Sequence, residues 1–585
     1  MRLDKKDKIL AGTYRRLLMV QILSMITGLL GPFVDGIVVS NYLGSLRMAA
    51  FGLASPLPII LVTVASIFEA GSQALSGRYL GTGQVEKVNG LMTMILSVTA
   101  LCGLVFTLLY GCCSYQVAAF LGAGQDCLAD CADYIRGFGW GVIPTMLGPV
   151  LIGYMQIDQD GKRAIFSAIV MLLVNCSLDL AVAFVYPDKM FGMGLSTAIS
   201  QWVAFGILML HFLKKNRTLS FCFKNIPFHL IGQVFVVGFP SAVFHLCNVV
   251  RTIVLNRILL HISDTHAVAA LTVQNSMLPL IMGVILGCGV TSLLITSVIA
   301  GEENRRSLRK IMAYILRLSF LIAFGIGLFL FLGAKVPVAY LFCGSEPPAQ
   351  QALVARILRF YAISIPLCML NSIMIFYYQS MRRNLISNLL CVLDNAGFLI
   401  ASALILPAFL GLDGVWVSFI TTELLSMLFL FILVGISQKK IPSSLHDYLL
   451  LPDSFGVDAE HRLNITAASM EEVTGISGRI ITFCKAQELP EKTAMAAGLC
   501  MEELCAIVMK NSKKAVTVDV YLTYKDGNLL LRLRDNGTPF DMALLQGAEN
   551  PQNPGENAGL RILHSMAKSI GYTVVLGLNV FSIQI

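Results

Sequence analysis

Asp35 and Asp179 each lie well inside a long apolar stretch, LLGPFVDGIVVSNYLG and IVMLLVNCSLDLAVAFVYPD, and Asn175 stands one helical turn before the second acid. Each acid is roughly eight residues from the polar end of its stretch, and Thr197 is roughly nine residues into the next, so at about 1.5 Å per helical residue all four reach one depth. A carboxylate in hydrocarbon is costly and marks a functional site by default. Two acids, an amide and a hydroxyl at one level form an oxygen-rich set that suits a proton or a sodium ion. The plainer alternative is a pair of neutral acids hydrogen-bonded between helices.

The elements that must hold these residues are membrane spans. Of the 585 residues, 56% are apolar and 13% charged, and the mean hydropathy is +0.74. These values exclude an ordinary soluble globule. Apolar stretches long enough to cross a bilayer recur up to about residue 440. They predict twelve helices, the first over 14–41 and the last over 413–436. Basic residues cluster in alternate loops (Arg15 and Arg16, Lys162 and Arg163, Arg305 and Arg306, Arg382 and Arg383, Lys439 and Lys440), while QVAAFLGAGQDCLAD has none. That asymmetry predicts both termini in the cytoplasm of a bacterial plasma membrane. The net charge of +8 resides in these loops, so no nucleic-acid partner is expected. The apolar run after Arg16 is too long and continuous for a cleavable signal. Cys127 and Cys131 face outside in this reading and are expected to be unlinked.

The spans repeat at an offset of about 220 residues, an even number of spans per half, which gives a parallel repeat about the membrane normal. SLRMAAFGLA parallels DTHAVAALTVQ, and GYMQIDQDGKRAIFSAIVMLLVN parallels IFYYQSMRRNLISNLLCVLDN, placing Asn175 over Asn395. The counterparts of Asp35 and Asp179 are Leu255 and Leu399, so the acids are specialised to the first half. The expected fold is an all-α polytopic protein with two six-helix lobes, 1–220 and 221–440, enclosing a cleft. A linker over 441–459 leads to a cytoplasmic α+β domain over 460–585. There ASMEEVTGISGRIITFCKAQ and EKTAMAAGLCMEELCAIVMKN read as helices, and VTVDVYLTYKDGNLLLRLRDN as a strand pair turning at Lys-Asp-Gly.

Residues 10–440 resemble the multidrug and toxic compound extrusion transporters, in the prokaryotic branch related to the DNA-damage-inducible F protein. The resemblance rests on VDGIVVSNYLG, EAGSQALSGRYLGTGQVEK, the Asn-x-x-x-Asp pair of QIDQDGKRAIFSAIVMLLVNCSLDL, and Thr197. It implies that Asp35, Asn175, Asp179 and Thr197 form a first-lobe cation site, protonated or sodium-bound. The early first-span proline common in this branch is missing, and Gly28, Gly31 and Pro32 offer bending instead. The tail resembles the anti-sigma-factor serine kinases of the histidine-kinase-type ATPases, through MEELCAIVMKN, DNGTPFD and NAGLRILHSMAKSIGY. That resemblance implies Glu503 as general base, Asp535 as an adenine-contacting acid, Gly537 and Gly559 as backbone-approach glycines, and ATP as ligand. Ile507 stands where the family places its magnesium-binding Asn, and isoleucine offers no oxygen to a hard cation. A weak or inactive ATPase that acts by binding is therefore expected.

Glu69 and Asp394 read as near enough to helix ends to reach interfacial water. Arg251 and Glu423 would line a second-lobe cavity or pair with each other, and His245 reads as a satisfied polar residue. The expected function is exchange of protons or sodium for small organic cations or amphipathic compounds across the bilayer, with a cytoplasmic protein as candidate partner of the tail. The alternatives are a membrane sensor that controls the tail and a lipid-linked saccharide flippase.

Overall fold

The structure is a computed structural model. It describes residues 5–584 apart from 44, 83, 122, 126, 159, 187, 215–218, 225, 263–264, 335–347, 453–454, 458, 513–515, 526 and 538–568. Gly559 lies outside the described residues. Hydrocarbon offers no partner to a free peptide group, so a lipid-exposed chain must satisfy its backbone internally, and the apolar stretches form long helices. In the first half these are α1 (Lys5–Val38), α2 (Pro56–Gly81), α3 (Val85–Cys112), α4 (Leu128–Gly139), α5 (Val142–Ile157), α6 (Gly161–Phe184) and α7 (Lys189–Met209). In the second half they are α8 (Ile231–Ile262), α9 (Thr265–Gly301), α10 (Arg305–Gly333), α11 (Pro348–Ser380), α12 (Asn384–Val392), α13 (Phe398–Ile405) and α14 (Leu412–Gln438).

Among the described residues ten segments are long and apolar enough to cross a membrane, or eleven if α4 and α5, bent by 47°, form one crossing. The expected number of twelve is therefore met only in part. The helix α1, which holds the expected first span, is not among the ten. Cys127 and Cys131 are free thiols.

The two halves meet along α2, which packs on α8 and α9. Small residues set that distance, as expected where close backbone approach drives helix association. A Cβ on Gly238 would lie 1.9 Å from the Ile67 carbonyl oxygen, and one on Gly301 would lie 2.2 Å from that of Arg78. Tyr14 of α1 adds a hydrogen bond to Ser319 of α10, Oη to Oγ at 3.2 Å. The lobes therefore touch at the end from which the tail emerges. On the same face of the first lobe, Asp160 gathers Lys214 Nζ at 2.7 Å, Arg163 Nε at 2.8 Å and His211 Nδ1 at 2.9 Å. Burial opposes its charge, but these three partners hold the Asp160 carboxyl down at about 2.

The tail is a five-stranded antiparallel sheet in the order β1-β2-β3-β5-β4, with α15 (Ile476–Ala486) and α16 (Glu491–Asn511) against it. The strands are β1 (Arg462–Ala467), β2 (Val518–Lys525), β3 (Asn528–Asp535), β4 (Ser569–Val575) and β5 (Leu578–Gln584). Gly527, at φ +76°, turns β2 into β3 with Lys525 opposite Asn528, as the Lys-Asp-Gly signal predicts. The segment before the sheet packs against the second lobe, where Tyr377 Oη donates to the Leu449 carbonyl at 2.8 Å and Tyr378 Oη to that of Tyr448 at 2.5 Å. The β4–β5 turn reaches α1, where Arg16 Nη2 donates to the Leu576 carbonyl at 2.6 Å. Arg534 pairs with Glu302, which follows the end of α9, in a nearly buried contact.

If backbone approach holds this end shut, Gly301→Val will part the lobes there. Spin labels on Gln84→Cys and Arg306→Cys will then move several ångström further apart than in the unmodified pair, read by double electron–electron resonance. An unchanged distance distribution would show that the glycine contact does not set the closure.

Candidate functional site

Three helices carry the four sequence-predicted residues to one place. Asp35 comes from the last turns of α1, just before a π-helical stretch at Val39–Leu43. Asn175 and Asp179 come from successive turns of α6, and Thr197 from the third turn of α7. The structure brings all four together. Asp35, Asn175 and Asp179 are 3%, 3% and 0% exposed. Thr197 Oγ1 lies 3.2 Å from Asp35 Oδ2, and Asn175 Nδ2 donates to Asp179 Oδ2 at 3.2 Å. Gly31 of α1 faces this bond, since a Cβ there would stand 3.5 Å from Asn175 Oδ1. The closeness of α1 to α6 is thus part of the site.

The Asp35 and Asp179 carboxyls are direct neighbours. Ser196 Oγ donates to Asp179 Oδ1, while Asp35 Oδ1 is buried with no hydrogen-bond partner. Two like charges about 4 Å apart repel by about 4 kcal/mol even at an effective dielectric of 20. The pair is stable with one carboxyl neutral, or with a cation between them. An orphan carboxylate oxygen beside further oxygen donors suits a proton or sodium, and Asn175 Oδ1 and the two hydroxyls supply neutral oxygens.

Sequence reasoning missed Ser196 and Tyr134. Ser196 is adjacent to Thr197, and the single-residue step on a helix concealed that both reach the acids from α7. Tyr134 of α4 is 4% exposed and lies within electrostatic range of both carboxyls. No spacing pattern relates α4 to the other three helices, so only the tertiary fold reveals it.

The second lobe carries a different acidic cluster. Asn371 Nδ2 approaches Glu423 Oε2 at 2.7 Å and Asp394 Oδ1 at 3.2 Å. Asp394 sits on a π-helical stretch, Leu393–Gly397, and is 6% exposed. It is buried, not placed at the interfacial water expected from its position in the span. Arg251, Asp394 and Glu423 line one cavity of about 30 Å³.

A larger cavity, of about 300 Å³, lies between the lobes, and Gln21, Glu69, Gln73, Phe205, His245 and Phe376 are among its lining residues. Glu69 faces this space, and its residue partner is Gln73, whose Nε2 lies 3.3 Å from Glu69 Oε1. Asp35 and Asp179 do not line it.

In the tail, Asp535 ends β3 fully buried. Its Oδ1 accepts from Asn579 Nδ2 at 2.7 Å and from the Gly537 amide at 2.8 Å, while Oδ2 has no partner. Burial pushes the Asp535 carboxyl up, against the two donors that favour its charge. Glu503 is exposed on α16, and Ile507 is half-buried against the tail core.

The profile of the family described as MatE matches residues 21–181 and 240–398, more than half of the chain, in two stretches that fall on the two lobes. The multidrug export protein MepA of Staphylococcus saprophyticus is 25% identical over 244 residues, which cover 40% of this chain and 52% of that protein. MepA of Staphylococcus aureus is 24% identical over 249 residues, covering 41% and 53%. The chain thus spans about half the length of the curated relatives it matches. Among solved structures, the outward-facing conformation of a multidrug resistance MATE family transporter of the MOP superfamily superposes with a TM-score of 0.68 at 20% identity, over 73% of this chain and 97% of that one. A MOP superfamily transporter from Pyrococcus furiosus, described by the reverse polarity of its binding pocket, gives 0.66 at 20% identity over the same shares. These likenesses show a common fold, and with the two-lobed profile match the chain belongs to the MatE family.

Proposed function

We propose that this protein is a secondary active efflux transporter that exchanges protons or sodium for organic cations or amphipathic compounds across the plasma membrane, with both termini in the cytoplasm. The observation that carries this reading is Asp35 Oδ1, buried and without a partner beside the Asp179 carboxyl. A pair that cannot be doubly charged and dry must take up a cation, and losing that cation must let water or another helix arrangement in. Asp35 belongs to α1, Asp179 to α6 and Thr197 to α7, so uptake draws three first-lobe helices together. Since α1 also touches α10 through Tyr14 and Ser319, a shift at the acids is transmitted to the lobe interface. Ion occupancy and the closure of the two lobes are thereby linked in a two-state cycle. The relatives' description as multidrug export proteins agrees with small drug-like cargo in the cavity between the lobes.

The tail acts in this proposal by binding. Asp535 Oδ2 is an acceptor that the amino group of an adenine would satisfy. Ile507 offers no oxygen to magnesium, which favours nucleotide binding over efficient turnover. The contacts of Arg16 with Leu576 and of Arg534 with Glu302 attach the sheet to the first lobe through α1 and to the second after α9. Nucleotide or a partner protein on the sheet would therefore bear on the relative position of the lobes.

In proteoliposomes with an imposed proton or sodium gradient, the unmodified protein will extrude a fluorescent organic cation. Asp35→Asn and Asp179→Asn will insert and fold but lose gradient-driven transport by roughly two orders of magnitude or more, as expected when an obligatory ion ligand is removed. Gradient-driven transport by both variants at the unmodified rate would refute the coupling role. For the tail, the full chain will bind ATP with little magnesium-dependent turnover, and Asp535→Asn will weaken that binding. Brisk turnover that depends on Glu503 would overturn the binding-only reading.

A further inference from the structure

We propose that Glu69 is the counter-charge that selects cationic cargo in the cavity between the lobes, an inference that rests on the transport reading above and assigns its substrate-recognition residue. Glu69 lies on α2, twelve residues before Gly81 at the helix end, which at about 1.5 Å per residue is roughly 18 Å into the span. It is therefore deep in the membrane, not at its interface. Its side chain is nonetheless not fully buried and lines the cavity.

The cavity's composition isolates this charge. No Lys, Arg or Asp is among the described lining residues, and His245 is the other titratable side chain there. The nearest donor to Glu69 is the neutral Gln73 amide at 3.3 Å, a long hydrogen bond. Such an amide leaves most of a carboxylate's charge unmatched in a low-dielectric setting. The Glu69 charge is stable there only when a cation shares the space. Phe205 from the first lobe and Phe244 and Phe376 from the second add aromatic surface to the same cavity, which attracts a large, weakly hydrated cation through its π-faces. At about 300 Å³ the space lies at the small end of ligand pockets. The ligand class is thus a compact lipophilic monocation. Because Asp35 and Asp179 lie outside this cavity, the charge that meets the cargo is separate from the pair that meets the coupling ion.

Equilibrium dialysis on the full-length protein in nanodiscs tests this, with tetraphenylphosphonium as cation and triphenylphosphine oxide as a neutral probe of similar shape. Glu69→Gln will lower tetraphenylphosphonium affinity roughly ten- to a hundredfold, the scale of one partly desolvated charge pair, and leave the neutral probe unaffected. Glu69→Asp, which keeps the charge, will retain most of the cation affinity. Equal tetraphenylphosphonium affinity in Glu69→Gln and the unmodified protein would overturn the role of Glu69 while leaving the transport reading intact. A parallel loss of both probes would also overturn it, because charge matching requires a selective loss. Failure of the unmodified protein to bind either probe would instead sink the transport reading and this inference with it.

Discussion

Two carboxyl groups pressed together in a dry helix bundle are the constraint on which the rest of this structure depends. Asp35 and Asp179 cannot both keep a full charge at that distance without a cation, and neither has a basic side chain to pair with among the described hydrogen bonds and ion pairs. The surrounding hydroxyls and amide supply only partial charge. In the proposed coupling, occupancy of this site depends on the arrangement of α1, α6 and α7, since moving any one of them separates an acid from its donors. The leucines at the matching positions of the second lobe, Leu255 and Leu399, are buried at 2% and 3%. Packing at those positions requires no carboxylate, so the acids impose a chemical condition on a scaffold that is stable without them.

That condition reaches the cavity through the lobe interface. The glycine crossings of α2 with α8 and α9 hold backbone against backbone, leaving no intermediate spacing for ordinary side chains. The interface is accordingly either closed or parted. Glu69 stands two residues beyond Ile67, whose carbonyl meets Gly238, so the cavity-lining carboxyl and the closing contact share one helix. The tail adds a third attachment at the same end. Arg16, Arg534 and the segment near Leu449 link it to α1, to the stretch after α9, and to α11.

Much of this arrangement was legible in the sequence because hydrocarbon leaves few options. Apolar run length gave the helices, and equal depth brought Asp35, Asn175, Asp179 and Thr197 to one level, where the structure joins them. The hairpin at Gly527 followed from local turn chemistry. What escaped detection depends on azimuth and on partners from distant helices. Ser196 is one residue from Thr197, yet which hydroxyl faces Asp179 depends on the rotation of α7. Glu69 looked close to water because it read as near the end of its span, whereas α2 runs on to Gly81 and the residue lines a central cavity; Asp394 lies buried in a π-helical stretch. The segment 441–459 reads as a polar linker, but its Leu449 and Tyr448 carbonyls accept from Tyr377 and Tyr378, a docking that composition does not reveal.

The account stands most directly on ion release. Adding tetraphenylphosphonium to the purified protein in weakly buffered solution, in the presence and absence of sodium, will release close to one proton or one sodium ion per cation bound, and Asp35→Asn will abolish that release. Cargo binding with no ion released under either condition would contradict the claim that the buried acid pair couples ion to cargo.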